Sequence, residues 1–205
     1  MNRRTLMLRW CAFTVLAGVN LLSTPAAHSQ ITASVARANL THLVDNAQII
    51  VHGHVVSAVL EAHPQFQNLQ TVLVTVAVAK TFKGPATPSI TFRQFVWNVK
   101  DGDGAGGYQK SEELILFLNP TSLYGLTSPV GMEQGHFHVT RDAKGNRYAV
   151  NGRGNLGLFT DVEDKAVERG VVLSPQARTM MTKNGGKVSL ATLEETIQVL
   201  AAVRP

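Results

Sequence analysis

Cysteine is almost absent from this chain. Its 205 residues include one, Cys11, and that one lies in an N-terminal stretch that reads as a leader. The chain beyond it cannot form a disulfide, which excludes a knottin-like or otherwise cross-linked scaffold. A compact fold must then come from a core, and a hydrophobic content of 44% is enough to supply one. The usual marks of nucleophilic or zinc-hydrolase chemistry are missing too: there is no G-x-S-x-G, no S-x-x-K and no H-E-x-x-H. No nucleophile has an identifiable activator near it in the sequence, so the residues point away from an enzyme. There are no internal repeats and no low-complexity linkers.

No apolar run approaches the roughly 20 residues that cross a bilayer as a helix. The stretch CAFTVLAGVNLL follows Arg3, Arg4 and Arg9 and precedes STPAAHSQ, the order of a secretory signal peptide over residues 1–29. Small residues three and one before the bond favour a cut after Ala27-His28-Ser29, with a cut after Ala26 as the rival. The Arg3-Arg4 pair is too little to separate twin-arginine from ordinary secretion. An exported location, periplasmic or extracellular, follows as the expectation, with no transmembrane segment once the leader is removed. Three of the 19 Lys and Arg residues leave with it and all 14 acidic residues stay, so the rest of the chain is near +2. No basic run or aromatic-interleaved patch is present, and nucleic acid is not expected as a partner.

The chain is organised around Gln70 to Gly84. Val72, Val74, Val76 and Val78 alternate with Thr71, Leu73, Thr75, Ala77 and Ala79, the period-two pattern of a strand with one buried face. At about 3.3 Å per residue such a strand outruns a small core and must bend. Strands are also expected over 48–60, with Gly53 as a bulge or close approach, and over 89–99, 113–118, 134–140 and RYAVNG. The residues Asp142-Ala143-Lys144-Gly145 set up a hairpin. A short helix is expected over 34–47. A second closes the chain, with Ser189 as N-cap and a stripe of Leu190, Leu193, Ile197 and Leu200. The fold class is mainly β: a small antiparallel barrel or, alternatively, a β-sandwich, with a short N-terminal helix and a C-terminal helix. The barrel domain runs over 30–160, and 161–205 forms a C-terminal extension ending in the helix.

Two loops are the candidates for partner contact, because binding function tends to sit on loops carried by a rigid scaffold. One is the glycine-rich Asp101 to Tyr108, with Asp101, Asp103 and Tyr108; the other is Leu123 to Gly131, with Tyr124. Asp101, Asp103, Gly106 and Glu112 match positions of a calcium loop, but Ala105 replaces a ligand and the flanks are strands, which argues against calcium. Two G-x-G-x-x-G spellings, at Gly102, Gly104 and Gly107 and at Gly152, Gly154 and Gly157, open no βαβ unit and so do not imply phosphate binding. Two H-x-H pairs, His52 with His54 and His136 with His138, would each project from one face of a strand. All four together would make an imidazole site for zinc or copper. Against that, Phe137 and Val139 look like the inward residues of their strand, which leaves His136 and His138 solvated. Glu112 and Glu113 point to opposite faces and read as the solvated end of a buried strand.

The pieces IIVHGHV, TVLVTVAVAKTFKG, EELILFL and GMEQGHFHV, in that order, resemble a family of uncharacterised bacterial exported proteins. The likeness covers about residues 48–140. It rests on Gly53, Val55, Lys83, Gly84, Glu113, Leu116, Phe117, Leu118, Gln134, Gly135, Phe137 and Val139. Some such proteins occur beside secreted matrixin-like metalloproteases. The strand order also resembles the barrel of netrin-like and tissue metalloprotease-inhibitor domains, of the oligonucleotide/oligosaccharide-binding fold class. The leading expectation is an exported, non-enzymatic binding module without a cofactor, for which the resemblance suggests a secreted protease as partner or target of inhibition; the alternative is a periplasmic metal-binding protein using His52, His54, His136 and His138. The N-terminal cysteine by which those inhibitors chelate zinc has no counterpart here, nor do their disulfides, so inhibition by direct chelation is not implied.

Overall fold

In the computed structural model, which describes residues 36–96 and 106–203, seven strands form one antiparallel sheet in the order β3-β2-β1-β4-β5-β6-β7. The first helix, α1 (Leu40–Asn46), is capped by the Asn39 side chain, which accepts from the His42 N–H. Two 14-residue strands follow, β1 (Ile49–Ala62) and β2 (Gln70–Lys83), and then β3 (Ser89–Phe95), β4 (Glu113–Leu118), β5 (His136–Arg141) and β6 (Arg147–Asn151). After these come α2 (Val162–Glu168), α3 (Pro175–Met181), the short β7 (Val188–Ser189) and α4 (Leu190–Ala202). The expected signal peptide and residues 97–105, including Trp97, Asp101 and Asp103, lie outside the described residues.

The mainly β antiparallel architecture with a helix near each end is therefore what forms. The strands do not close into a barrel. The segment after β4 returns to β3 through two single bridges, Leu118 with Pro129 and Arg93 with Leu126, and its prolines at 120 and 129 withhold ladder donors, so among the described residues no strand completes the seam. The long hairpin β1–β2 curls instead through three register shifts, one of them between His52 and Gly53. A β-carbon on Gly53 would stand 2.1 Å from the Ala77 carbonyl oxygen, so only glycine fits where the strands pinch.

Both faces of the sheet are covered, each by its own core. On one, Val51, Val55, Val72, Val74, Val76, Phe92, Tyr108, Leu114 and Leu116 fill the concavity of the curled strands. On the other, Ile50, Ile115, Phe117, Phe137 and Ala149 meet α1, α2, α3 and α4. The stripe Leu190, Leu193, Ile197 and Leu200 is buried as the helical period requires, and the Ser189 hydroxyl caps α4 by accepting from the Thr192 N–H. The segment beyond residue 160 joins the same core and adds β7 to the sheet. Its α2 and α3, seven residues each, are not among the expected elements; along this stretch short apolar and polar pieces alternate without a helical stripe. None of the described helices is long and apolar enough to cross a membrane.

Candidate functional site

The register decides what the histidines do. Partners across a ladder share a face, and residue neighbours alternate. His52 pairs with Ile115, which pairs with Phe137; Leu116 pairs with His136 and Leu114 with His138. The pair at 136 and 138 therefore lies on the curled-strand face, and His52 lies on the helical face with Phe137. The four histidines do not meet, and a shared tetra-histidine site is not formed: the pattern H-x-H fixes one face per strand but not the same face for two strands.

Each face has its own cluster. On the curled-strand side, His138 Nδ1 bonds to Glu112 Oε1, and His136 Nε2 lies 3.7 Å from the same oxygen. The two imidazoles sit with centroids 4.5 Å apart, and Tyr108 stacks on His136 at 4.9 Å and 16°. Tyr108 is itself held by its hydroxyl, which donates to Gln94 Oε1 at 2.8 Å. The Gln109 backbone N–H donates to the other Glu112 oxygen at 3.0 Å. Burial alone would raise the Glu112 carboxyl. The His136 and His138 imidazoles and the Gln109 N–H outweigh it and hold the group well below the usual carboxylate range. Glu112 in turn pushes His138 up, against the effect of burial. The Tyr108 hydroxyl is pushed up, first by burial and then by the charges of Glu133 and Glu112.

His136 is thus not solvated, as the alternation with Phe137 suggested. It is 4% exposed, because both faces of the sheet are covered at β5 and the residues facing away from the helices enter a second core. Its Nε2 has no hydrogen-bond partner.

On the helical side, His52 Nε2 lies 3.0 Å from Glu113 Oε1 and its Nδ1 2.6 Å from Glu194 Oε1 on α4. Arg147 Nη2 also contacts Glu113, and Lys80 Nζ lies 3.6 Å from Glu194 Oε2. Because opposite ring nitrogens of His52 face the two carboxylates, no single ion could be held by all three. The cluster is a charge-balanced tie between sheet and helix. His54 is exposed, paired in the ladder with Glu113 and Ala77. Glu112, Glu113 and Glu194 are the carboxylates that the sequence pattern did not connect to the histidines. For Glu112 and Glu113 the one signal is the adjacent acidic pair at the head of β4, between two strands bearing H-x-H; Glu194 has none.

The described end of the first candidate loop, Gly106 to Tyr108, meets the second. Gly106 and Tyr108 on one side and Leu126, Pro129, Met132 and Glu133 on the other line a cavity of about 400 Å³, with His136 in its wall. Tyr108 is 2% exposed, so it forms the wall of that cavity rather than an outward contact. Tyr124 is exposed and lies outside it, edge-on to Phe66 at 5.5 Å. A second cleft of about 500 Å³ is lined by Gly107, Gln109, Glu112, Glu113, His138 and Thr140 among others.

The second glycine-rich spelling is structural. A β-carbon on Gly152 would stand 2.4 Å from Glu133 Oε2, so a carboxylate already lies where a phosphate would have to approach. The turn is held by Asn151 and Asn155, which accept each other's backbone N–H at 2.8 and 2.9 Å.

No protein-family model, curated protein or solved structure matches this chain.

Proposed function

We propose that this chain is an exported, non-enzymatic binding module that docks another exported protein through the turn at Leu123 and Tyr124 and the cavity behind it. One observation carries this reading. Leu123 is fully exposed, yet it stands on a turn fixed by three hydrogen bonds: Ser122 N–H to Leu126 O, Gly125 N–H to Ser122 O, and Leu126 N–H to Ser122 Oγ. A leucine held in water by an ordered backbone costs apolar exposure that a partner would remove. The turn is braced from below, where His63 Nε2 meets the Tyr124 carbonyl at 2.8 Å and stacks on Phe66 at 5.0 Å. With Phe66, Tyr124 and Met132 also exposed, the turn offers a preorganised apolar surface beside the cavity. A partner inserting an apolar side chain between Tyr108, Leu126 and Pro129 is the chemistry that fits. A secreted protease is the partner class that the sequence resemblance suggests, and the leader-like N-terminus supports export.

The test is a partner captured from the exported fraction, identified, and titrated against Leu123→Ser and Tyr124→Ala. Both positions are outside the cores, so folding is expected to be unchanged. Loss of at least about tenfold in affinity in either variant is the expected result for a buried anchor. Unchanged affinity in both, with a partner that binds the parent chain, would remove the assignment.

A further inference from the structure

We propose that His136 Nε2, His138 Nδ1 and Glu112 Oε1 form a binding site for a divalent transition-metal cation of the zinc type, with an open position toward the cleft beside His138. The reading does not depend on the partner surface at Leu123.

Among the described residues, Glu112, His136 and His138 each offer a ligand atom within 4.8 Å of the other two. Bonds of about 2.0–2.2 Å to one ion place tetrahedral ligands roughly 3.3 Å apart. The present separations bracket that value: His138 is closer to the shared oxygen and His136, at 3.7 Å, is farther. His138, the least buried of the three, is the side chain free to adjust.

A second observation points independently to a ligand. His136 is 4% exposed and its Nε2 is without a hydrogen-bond partner. A buried imidazole nitrogen left unpaired costs on the order of 1–3 kcal/mol, and a cation bound there satisfies it. The ring cannot easily turn elsewhere, being stacked on Tyr108 at 4.9 Å, with Tyr108 anchored to Gln94. Glu112 is likewise oriented, by the Gln109 N–H.

The donor set selects the ion. Two imidazoles and one carboxylate suit zinc and its first-row neighbours, whereas calcium and magnesium prefer all-oxygen shells. Three protein ligands leave the fourth position for water or a partner's side chain, and His138, the most exposed of the three, borders the 500 Å³ cleft from which it would enter. The other histidine cluster supplies an internal contrast: His52 presents opposite nitrogens to its carboxylates, and the Arg147 guanidinium already brings a cation to Glu113.

The experiment uses the untagged chain, stripped with a chelator and titrated with zinc chloride by calorimetry, with Co²⁺ as an optical probe. The expected result is one equivalent bound with proton release, and tetrahedral Co²⁺ absorption displaced by zinc. His138→Ala and Glu112→Gln should each weaken binding by at least about tenfold, a loss already seen for lesser changes around metal ligands. His54→Ala and Leu123→Ser should leave it unchanged. His138 is partly exposed, so its variant is expected to fold even if replacement of buried His136 does not, and circular dichroism checks this. Absence of stoichiometric zinc binding by the folded parent chain, or binding that survives both His138→Ala and Glu112→Gln, overturns the site. Loss of zinc with partner affinity intact leaves the Leu123 surface standing, and the reverse leaves the metal site.

Discussion

Glu112 and Glu113, adjacent in the chain, send their carboxylates to opposite faces of the sheet, and each meets a histidine there. Glu112 bonds to His138 on the curled-strand face, and Glu113 lies 3.0 Å from His52 on the helical face. The alternation of a strand thus divides one acidic pair between two sites of different character. The Glu112 site gathers two imidazoles on one carboxylate, whereas at the Glu113 site the Arg147 guanidinium meets the carboxylate and His52, through Glu194, ties α4 to the sheet.

That tie has a pH signature. The groups facing Glu194 are His52 on β1 and Lys80 on β2, with Arg147 of β6 in the same cleft. Burial would raise the Glu194 carboxyl, but His52 and Lys80 outweigh it and hold the group below its ordinary value. A carboxyl lowered in the folded state contributes stability above the unfolded value of about 4.3 and loses it as pH falls through the folded one. Glu194→Gln is therefore expected to be about 1–2 kcal/mol less stable at pH 7. The gap should shrink as pH drops below about 4. Urea denaturation of both chains across pH 3–8 measures it, and a gap that stays constant down to pH 3 would mean that charge is not what Glu194 contributes.

Gly53→Ala is expected to cost about 2–3 kcal/mol or more. The new β-carbon would meet the Ala77 carbonyl oxygen at 2.1 Å and Val76 Cγ1 at 2.9 Å, and the first of these is backbone that cannot rotate aside. The β1–β2 ladder would have to open at its register shift, which displaces His52 as well. Equilibrium unfolding in urea gives the cost directly; a change below about 0.5 kcal/mol, the range of neutral surface substitutions, would show that the pinch relaxes freely.

The strands were legible because their signals are local. Four alternate valines, the glycine at the bulge and the turn at Asp142 to Gly145 each act on their own few residues, and β2, Gly53 and the β5–β6 hairpin follow. What was not legible is which face of one strand matches which face of another. The reading of Phe137 as inward was correct, but it assumed a single inside. With a core on each face, the residue that alternates with Phe137 is buried too, and His136 went from solvent to interior. Glu194 lies 142 positions from His52, and nothing in either neighbourhood announces the contact that α4 makes.

Asn155 shows the same effect in a loop. It is fully buried in the left-handed region, with φ of 59°. Its amide donates to the carbonyls of Ala149 and Gly186 at 3.1 and 2.8 Å, and its side-chain oxygen accepts from Asn151. Asn155→Ala loses these bonds and is left with a strained backbone, for an expected cost of about 3 kcal/mol. Asn155→Gly loses the bonds but suits the backbone, so it should recover about 1 kcal/mol of that. Thermal unfolding of the two variants side by side separates the contributions, and equal stability would assign the whole effect to hydrogen bonding.

Gln134 holds the N-terminal segment to the sheet. Its side-chain oxygen accepts from the buried Ala38 N–H at 2.8 Å, while its amide nitrogen donates to the Ala36 carbonyl at 3.0 Å and the Gly131 carbonyl at 3.3 Å. Gln134→Ala strands the Ala38 donor and should cost about 1–3 kcal/mol. Gln134→Glu is the sharper probe. At neutral pH its carboxylate still accepts from Ala38 but turns an acceptor toward two carbonyl oxygens that had a donor, and protonation restores one donor. The Glu variant is therefore expected to regain part of its lost stability on acidification relative to the Ala variant. Amide exchange at Ala38 should be faster in both variants than in the parent chain. Exchange at Ala38 that is unchanged in Gln134→Ala would mean that α1 alone secures the segment and that Gln134 only fills space.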